Sequence, residues 1–187
     1  MEMMQDLLVL HLPVICKVGE YMDREIERKW NLSNIDSATL KSIIKNKKYK
    51  TIEQGYINFH PAIRVRKEIF NNKTSYILTI KTNIKGNLVR YEKNIIIDSK
   101  TYNKLIKKRD GIVLSKLRYI IPYKNLIIEL DVFKKERKGL IIAEVEFKNE
   151  KAARNFAGPN WFSIGTEVTR NKKWTNAFLC QNKKIKF

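Results

Sequence analysis

Metal-binding and redox side chains are scarce in this sequence. Two cysteines, Cys16 and Cys180, and two histidines, His11 and His60, are scattered over 187 residues without the spacing of a metal site. A zinc site and a disulfide scaffold both need clusters of such residues, so the sequence argues against both. His60 directly precedes Pro61, which favours a turn over a ligand role.

The sequence also lacks a long apolar run. The stretch LLVLHLPVIC near the start spans about ten residues, whereas a membrane-spanning helix needs about 20. No positively charged segment precedes it, as one would in a secretory signal. We therefore expect a cytoplasmic protein that makes no membrane contact. Residues 1–21 are predicted to be an N-terminal extension outside the main fold, and residues 22–187 a single domain.

Acidic residues are half as numerous as basic ones. The chain has 19 Asp and Glu against 38 Lys and Arg, which gives a formal net charge of +19. Such an excess favours an anionic partner, such as nucleic acid or a polyphosphate. No aromatic–basic RNA-binding signature accompanies the basic segments KNKKYK and QNKKIKF, so nucleic acid is disfavoured as the partner. Hydrophobic residues make up 43% of the chain, enough for a folded core.

Strand patterns dominate what is present. About eight strand-like segments alternate with short turns, and the predicted fold class is α+β, mainly β: an eight-stranded antiparallel closed β-barrel with a few flanking helices. Closure is favoured because it removes exposed sheet edges. Helices are predicted at 36–46, with Asp36 or Ser37 as cap, at 98–111, with Gly111 at its end, and at 149–156 and 171–181.

Charged residues, together with the polar Thr79, recur with period two along these strands, so that each strand carries them on one face. The pairs or triads are Glu25, Glu27 and Lys29; Arg64 and Arg66; Thr79 and Lys81; Arg90 and Glu92; Lys116 and Arg118; Glu129 and Asp131; and Glu144 and Glu146. One such strand indicates an ordinary solvated face, but seven predict a charged interior.

Residue types also segregate by strand. Carboxylates dominate the first, seventh and eighth strands, and Arg and Lys the third, fourth and sixth. The interior should thus have an acidic wall, suited to a hard cation such as Mg²⁺ or Mn²⁺, and a basic wall, suited to a polyanion. A phosphate chain bridged by divalent cations would satisfy both walls.

The segment EIERK at 25–29 resembles the ExExK signature of the CYTH superfamily, the triphosphate tunnel metalloenzymes. The resemblance continues in order through IRVRK, YILTIK, RYEKN, SKLR, IELDVF, GLIIAEVEF and EVT, over roughly residues 22–180. It implies an eight-stranded tunnel that binds a triphosphate and divalent metal. One departure is the segment WFSIGTEVT at 161–169, which is longer than the family's W-F-G-K-E-V-T and leaves the contacts of the closing segment open.

The resemblance also implies roles for individual residues. The implied metal ligands are Glu25, Glu27, Glu144 and Glu146, with Asp131 and Glu129 in support. Glu92 matches a position that either ligates the metal or orients Arg90. The implied phosphate-binding residues are Lys29, Arg64, Arg66, Lys81, Arg90, Lys116 and Arg118. Tyr56 and Lys116 match a pair that activates water; the alternative for Tyr56 is a wall tyrosine whose hydroxyl bonds a neighbour.

The expected activity is metal-dependent hydrolysis of inorganic triphosphate or a related organic triphosphate. Two rivals remain: a class IV-type adenylyl cyclase, which would turn ATP into cyclic AMP and diphosphate, and a non-catalytic binder of polyphosphate or RNA. The expected partner is a small-molecule triphosphate, and a homodimer stays open.

Overall fold

The computed structural model describes residues 23–83 and 89–182. The predicted N-terminal extension lies outside the described residues, so the predicted domain boundary stays a prediction. The strands are β1 Asp23–Asn31, β2 Tyr49–Phe59, β3 Ala62–Phe70, β4 Lys73–Asn83, β5 Val89–Ile97, β6 Asp110–Tyr123, β7 Leu126–Lys134, β8 Ile141–Glu146 and β9 Thr166–Glu167. The helices are α1 Ser37–Ile44, α2 Ser99–Lys107, α3 Glu150–Arg154 and α4 Asn176–Gln181.

The first eight strands form an antiparallel ring. Neighbours are hydrogen-bonded in the order β5-β4-β3-β2-β6-β7-β8-β1, and β1 also pairs with β5, with Ile26 opposite Val89. Because this pairing joins the two ends of the order, each of these strands has a neighbour on both sides. The mainly β, eight-stranded prediction is confirmed. The short β9 was not predicted. It pairs with the end of β1, after the residues of β1 that pair with β5, and Glu167 lies opposite Trp30 there.

The apolar faces of β1, β7 and β8 point outward into a core. Ile26, Trp30 and Leu130 are buried there and pack with residues of α1 and α3. Each fully buried side chain of this size contributes roughly 1.5–3 kcal/mol. This packing leaves the opposite, charged faces of the same strands directed into the ring.

Asp36 caps α1, which confirms one of the two predicted caps, Asp36 or Ser37. Its Oδ1 accepts hydrogen bonds from the backbone N–H groups of Ala38 and Thr39, both at 2.9 Å. Asp98 caps α2 in the same way through Thr101 N. These caps satisfy N–H groups that have no partner within the helix.

Gly111 is not a helix end, contrary to the prediction. The second helix ends at Lys107, and Gly111 is the second residue of β6, with φ of +80°. A Cβ at this position would come 2.3 Å from the carbonyl oxygen of Cys180. Glycine is therefore required for the close approach of α4 to β6.

The other predicted helices are shorter than expected. Residues 149–156 form only Glu150–Arg154, and residues 171–181 split into a 3₁₀ turn at Lys172–Trp174 and the helix α4. The split occurs because the Thr175 hydroxyl accepts a hydrogen bond from Phe178 N and starts a new helix.

Helix α4 covers one end of the ring. Inward-facing Leu114, Phe133 and Ile142, from three neighbouring strands, pack with Leu179 and Cys180 of α4. This apolar contact fills that end and leaves the charged part of the interior on the other side.

Arg137 fixes the carboxyl end of α4. Its side chain is buried, and its Nη2 donates to Leu179 O at 2.7 Å and to Asn182 O at 2.5 Å. These are carbonyls that the helix itself leaves unpaired. Within the described ranges, no helix is long and apolar enough to cross a membrane.

Candidate active site

The ring encloses a cavity of about 870 Å³. The predicted site residues that line it are Glu25, Glu27, Lys29, Tyr56, Arg64, Arg66, Lys81, Glu92, Arg118, Glu144 and Glu146. Lys116 and Asp131 are fully buried in the wall, and Glu129 contacts Arg118. Arg90 lies opposite Glu25 in the sheet, but its side chain lies outside what the structure describes. The alternating pattern has thus placed the predicted residues around one space.

The strand order separates the two kinds of charge. The carboxylate-rich strands β7, β8 and β1 are consecutive neighbours, and β3 and β4 lie on the far side of the ring, separated from them by β2 and β6 on one side and by β5 on the other. The interior therefore has an acidic wall at β7, β8 and β1 and a basic wall at β3 and β4. The sixth strand, also predicted to be basic, instead lies beside β7, where Lys116 and Arg118 pair with Asp131.

Glu144 is held ionised by two cations on the acidic side. Lys29 Nζ lies 2.5 Å from its Oε1, and Arg118 Nη2 lies 2.6 Å from its Oε2. Burial would raise the pKa of Glu144, but Lys29 and Arg118 outweigh it and hold this pKa well below its usual range. Lys29 also lies 3.1 Å from Glu27 Oε1, so one ammonium bridges two carboxylates.

Glu146 and Glu25 carry excess negative charge. Partial burial, followed by the carboxylates of Glu129, Glu25 and Glu27, raises the pKa of Glu146 to about 7. Because this side chain is open to the cavity, water screens part of the effect. Burial and Glu27 likewise raise the pKa of Glu25, although Lys81 Nζ lies 2.9 Å from its Oε2. A cation placed here would relieve this repulsion.

The basic wall carries the opposite imbalance. Burial, then Arg64 and Arg118, lower the pKa of Arg66, and Glu68 only partly opposes them. Arg64 Nη2 donates to Thr79 Oγ1 at 3.0 Å, while its buried Nε has no acceptor among the described residues. Buried guanidinium donors of this kind favour an anionic ligand.

Gln54 joins this wall, although the sequence did not single it out. Its Oε1 accepts a hydrogen bond from Arg66 Nε at 3.1 Å, and its buried Nε2 has no acceptor in the described part of the chain. Its position two residues before Tyr56 was the only signal, and an amide carries no charge pattern to reveal it.

Lys116 lies deeper in the wall. It forms an ion pair with Asp131, and Asn176 Oδ1 lies 3.4 Å from its Nζ. Burial and then Arg118 lower the pKa of Lys116 to about 8, despite Asp131. Tyr56 is buried, and its ring stacks on Phe59 with centroids 5.4 Å apart. Its hydroxyl has no hydrogen bond within the described ranges. The alternative role of Tyr56, a wall tyrosine whose hydroxyl bonds a neighbour, therefore has no such neighbour there.

No preformed metal centre is present in residues 23–83 and 89–182: no three His, Cys, Asp or Glu side chains there are arranged to hold an ion. The acidic residues instead contact Lys29, Lys81 and Arg118. The donor set nevertheless fits a hard divalent cation, since it consists of carboxylate oxygens and carries unrelieved like charge at Glu25 and Glu146.

The closing segment keeps its contact with β1 despite the longer sequence. A 3₁₀ turn at Asn160–Ile164 includes the start of this segment, after which Val168 N donates to Lys29 O at 2.8 Å and Lys29 N donates to Thr169 Oγ1 at 3.0 Å. Arg154, Arg170, Lys172 and Asn176 also reach the cavity from this part of the chain. Strand alternation missed them because they lie on helices and loops.

Comparison with known proteins identifies related sequences. Residues 23–157 match the family model described as the CYTH domain. The chain is 35% identical over 162 residues to an inorganic triphosphatase of Acetivibrio thermocellus, covering 86% of this chain and 96% of that one. It is 33% identical over 157 residues to an inorganic triphosphatase of Nitrosomonas europaea, covering 83% and 95%. A crystal structure of an inorganic triphosphatase, 29% identical, superposes with a TM-score of 0.58 over 84% of this chain and 95% of that one.

Proposed function

Because the chain belongs to the CYTH domain family, we propose that it is an enzyme that hydrolyses inorganic triphosphate, or a related organic triphosphate, in this cavity with the help of a divalent metal. Two relatives that share about a third of its residues are named inorganic triphosphatases. The observation that carries the proposal is the opposed imbalance of the two walls. Carboxyls with raised pKa, Glu25 and Glu146, face the same cavity as Arg66, whose pKa is lowered by burial and then by other arginines.

The basic wall binds the phosphates. Arg64 offers its unpaired Nε, and Arg118 adds to burial and Arg64 in lowering the pKa of Arg66, so a bound anion would relieve the repulsion among these guanidinium groups. Lys29, Lys81, Arg90 and Lys116 complete the proposed set. An anion here releases the cations from their carboxylate partners, which frees those carboxylates.

The freed carboxylates hold the metal. Glu25, Glu27, Glu144 and Glu146 are the proposed ligands, with Glu92, Glu129 and Asp131 holding the cations around them. When bound, Mg²⁺ or Mn²⁺ neutralises phosphate oxygens and acidifies a water molecule. The all-oxygen donor set supports this choice of metals over zinc.

Lys116 and Tyr56 are the proposed proton acceptors. A lysine with pKa of about 8 is partly neutral near physiological pH, where it accepts a proton. Asp131 orients the Lys116 side chain, and Tyr56 lines the cavity. Arg64, Arg66 and Arg118 stabilise the charge that develops on the transferring phosphoryl group and on the departing diphosphate.

The test compares purified protein on tripolyphosphate, ATP and thiamine triphosphate with Mg²⁺ or Mn²⁺. Phosphate release from tripolyphosphate supports the proposal, and cyclic AMP formation from ATP would replace it with a cyclase. Binding of polyphosphate or RNA without turnover would indicate a non-catalytic binder.

Substitutions test the assignment of the acidic wall. Glu144→Gln and Glu27→Gln should each abolish metal-dependent turnover while the far-ultraviolet circular dichroism stays native. Glu136→Gln, an exposed carboxylate in the turn before β8, is the matched control and should keep full activity. Wild-type turnover in both cavity variants would disprove the ligand assignment. A cytoplasmic location and a homodimer stay predictions from the sequence.

A further inference from the structure

A second cavity adjoins the cavity enclosed by the ring, which we call the tunnel cavity. It measures about 420 Å³, and its lining includes Arg28, Arg154, Glu167, Thr169 and Arg170. Arg154, Thr169 and Arg170 line the tunnel cavity as well. The two spaces therefore meet along the surface formed by these residues.

The charge of this junction is cationic. Glu167, the carboxylate on its wall, is already engaged: its Oε1 accepts from Arg28 Nε at 2.9 Å and from Thr169 Oγ1 at 2.6 Å, and its Oε2 from Arg28 Nη2 at 2.5 Å. Arg170 is thus near a carboxylate that Arg28 has neutralised. Arg154 contacts Glu150 at 2.9 Å, an exposed helical pair of the kind worth only a few tenths of a kcal/mol.

We call Arg154, Arg170 and Lys172 the outer cationic group. Lys172 lines the tunnel cavity beside the other two, and all three side chains belong to exposed residues. The inner cations Lys29, Lys81 and Arg118 must give up carboxylate partners to bind a phosphate. Among the described residues, the outer group gives up the weak Arg154–Glu150 contact and the attraction of Arg170 to Glu167, a carboxylate that Arg28 already pairs, so it adds attraction for an anion at little cost.

The volume of the tunnel cavity also favours an anion longer than a triphosphate. At about 870 Å³ the tunnel cavity is near the upper end of the range for drug-sized ligands, and a triphosphate is smaller than these. No aromatic ring of the described residues lines the second cavity, so a nucleobase would find no stacking partner there. A continuing chain of phosphates matches both the charge and the shape.

We propose that the outer cationic group binds the phosphates beyond the third in a linear polyphosphate whose first three phosphates occupy the tunnel. The group then sets the chain-length preference of the enzyme. This inference rests on the proposed triphosphatase function and adds to it a binding subsite for longer chains.

The experiment measures binding of tripolyphosphate and of tetrapolyphosphate by calorimetry, with excess EDTA present, and hydrolysis of both with Mg²⁺. The wild-type protein should bind the longer chain about fivefold to tenfold more tightly. Arg170→Gln/Lys172→Gln should lose this difference while its affinity for tripolyphosphate changes less than about twofold. The matched control is Lys104→Gln/Lys107→Gln, which removes the same charge from exposed positions of α2 and should retain the preference.

Each outcome decides between the two proposals. Equal wild-type affinity for both chains overturns the subsite and leaves the triphosphatase function intact. Equal weakening of both chains in Arg170→Gln/Lys172→Gln places these cations on the first three phosphates and also overturns it. Binding of both chains without any hydrolysis defeats the proposed function instead. Tighter binding of ATP than of tetrapolyphosphate would assign the space to a nucleoside.

Arg154→Gln serves as a second variant, since its side chain is 71% exposed and its loss does not disturb packing. It should reduce the preference for the longer chain about twofold to threefold. If the double variant unfolds, as its circular dichroism would show, an unchanged preference in Arg154→Gln overturns the subsite.

Discussion

Arg28 and Glu167 form a two-point ion pair that ties the closing segment to β1. Arg28 Nε and Nη2 lie 2.9 and 2.5 Å from the two carboxylate oxygens, and Nη1 donates to Ala153 O at 2.8 Å and to Phe156 O at 3.2 Å. One guanidinium therefore connects β1, α3 with the residues that follow it, and β9. Arg28 is an intervening residue of the ExExK motif, and its contacts hold in place the segment that brings Thr169 and Arg170 to the cavity.

Replacing Arg28 should destabilise the protein more than replacing its partner. Arg28→Ala removes the ion pair and two hydrogen bonds to carbonyls, so we expect a loss of about 3 kcal/mol in the free energy of unfolding. Glu167→Gln leaves the carbonyl contacts and should cost about 1 kcal/mol. Urea denaturation of both variants and of the double variant measures the coupling. Glu150→Gln, in the exposed pair with Arg154, should change the free energy of unfolding by less than about 0.5 kcal/mol. Equal losses in the three single variants Arg28→Ala, Glu167→Gln and Glu150→Gln would refute the special role of Arg28.

Arg137 should control the local stability of α4. Arg137→Met removes the donors to Leu179 O and Asn182 O, so we expect a loss of about 2–4 kcal/mol and faster amide hydrogen exchange in residues 176–182. Arg137→Lys keeps the charge but not the forked geometry and should show an intermediate effect. Unchanged exchange in this helix, measured by mass spectrometry, would contradict the prediction.

Arg64 should be sensitive to loss of its guanidinium shape. Arg64→Lys keeps a positive charge but loses the unpaired Nε donor and the bond to Thr79, so kcat/KM for tripolyphosphate should fall about 10- to 100-fold. Thermal stability should stay close to that of the wild-type protein. Arg109→Lys, an exposed substitution next to α2, is the control and should be silent. Retention of full activity by Arg64→Lys would remove Arg64 from the phosphate-binding set.

The Glu146 carboxyl should make the metal-free protein less stable as the pH rises. Its folded-state pKa of about 7 lies above the ordinary value of 4.5, so between these values the folded state binds more protons than the unfolded state. The stabilisation is fully present below about pH 4.5 and is lost as the pH passes through 7. Glu146→Gln should remove this component.

Melting temperatures in EDTA between pH 5 and 8.5 provide the measurement. The difference between the wild-type protein and Glu146→Gln should widen with pH in favour of the variant, whereas Glu136→Gln should follow the wild type. Parallel curves for the wild type and Glu146→Gln would show that the carboxylate cluster exerts no net repulsion.

The ring and most of its charged lining could be predicted because strand alternation is a local property. Arg64 and Glu144 reach one cavity because each alternates with apolar neighbours that must face outward. The end of the second helix could not be predicted, since Gly111 looks like a cap in sequence but serves the approach of α4, which is about 70 residues distant.

Residues outside the strands escaped prediction for a related reason. The segment KKERKG at 134–139 has the composition of a charged loop, yet Arg137 within it is buried against α4. Nothing local distinguishes Arg137 from the neighbouring lysines. Likewise Arg154 and Arg170 reach the cavity only through the contacts of α3 and the closing segment, which depend on tertiary packing.

The apolar packing of α4 against Leu114, Phe133 and Ile142 fills one end of the ring, so we expect substrate to enter and product to leave through the other end. The diphosphate product should then leave through the same opening by which the next substrate molecule enters. The rate of turnover should then depend on product release as well as on bond cleavage, and diphosphate should be a competitive inhibitor of the substrate.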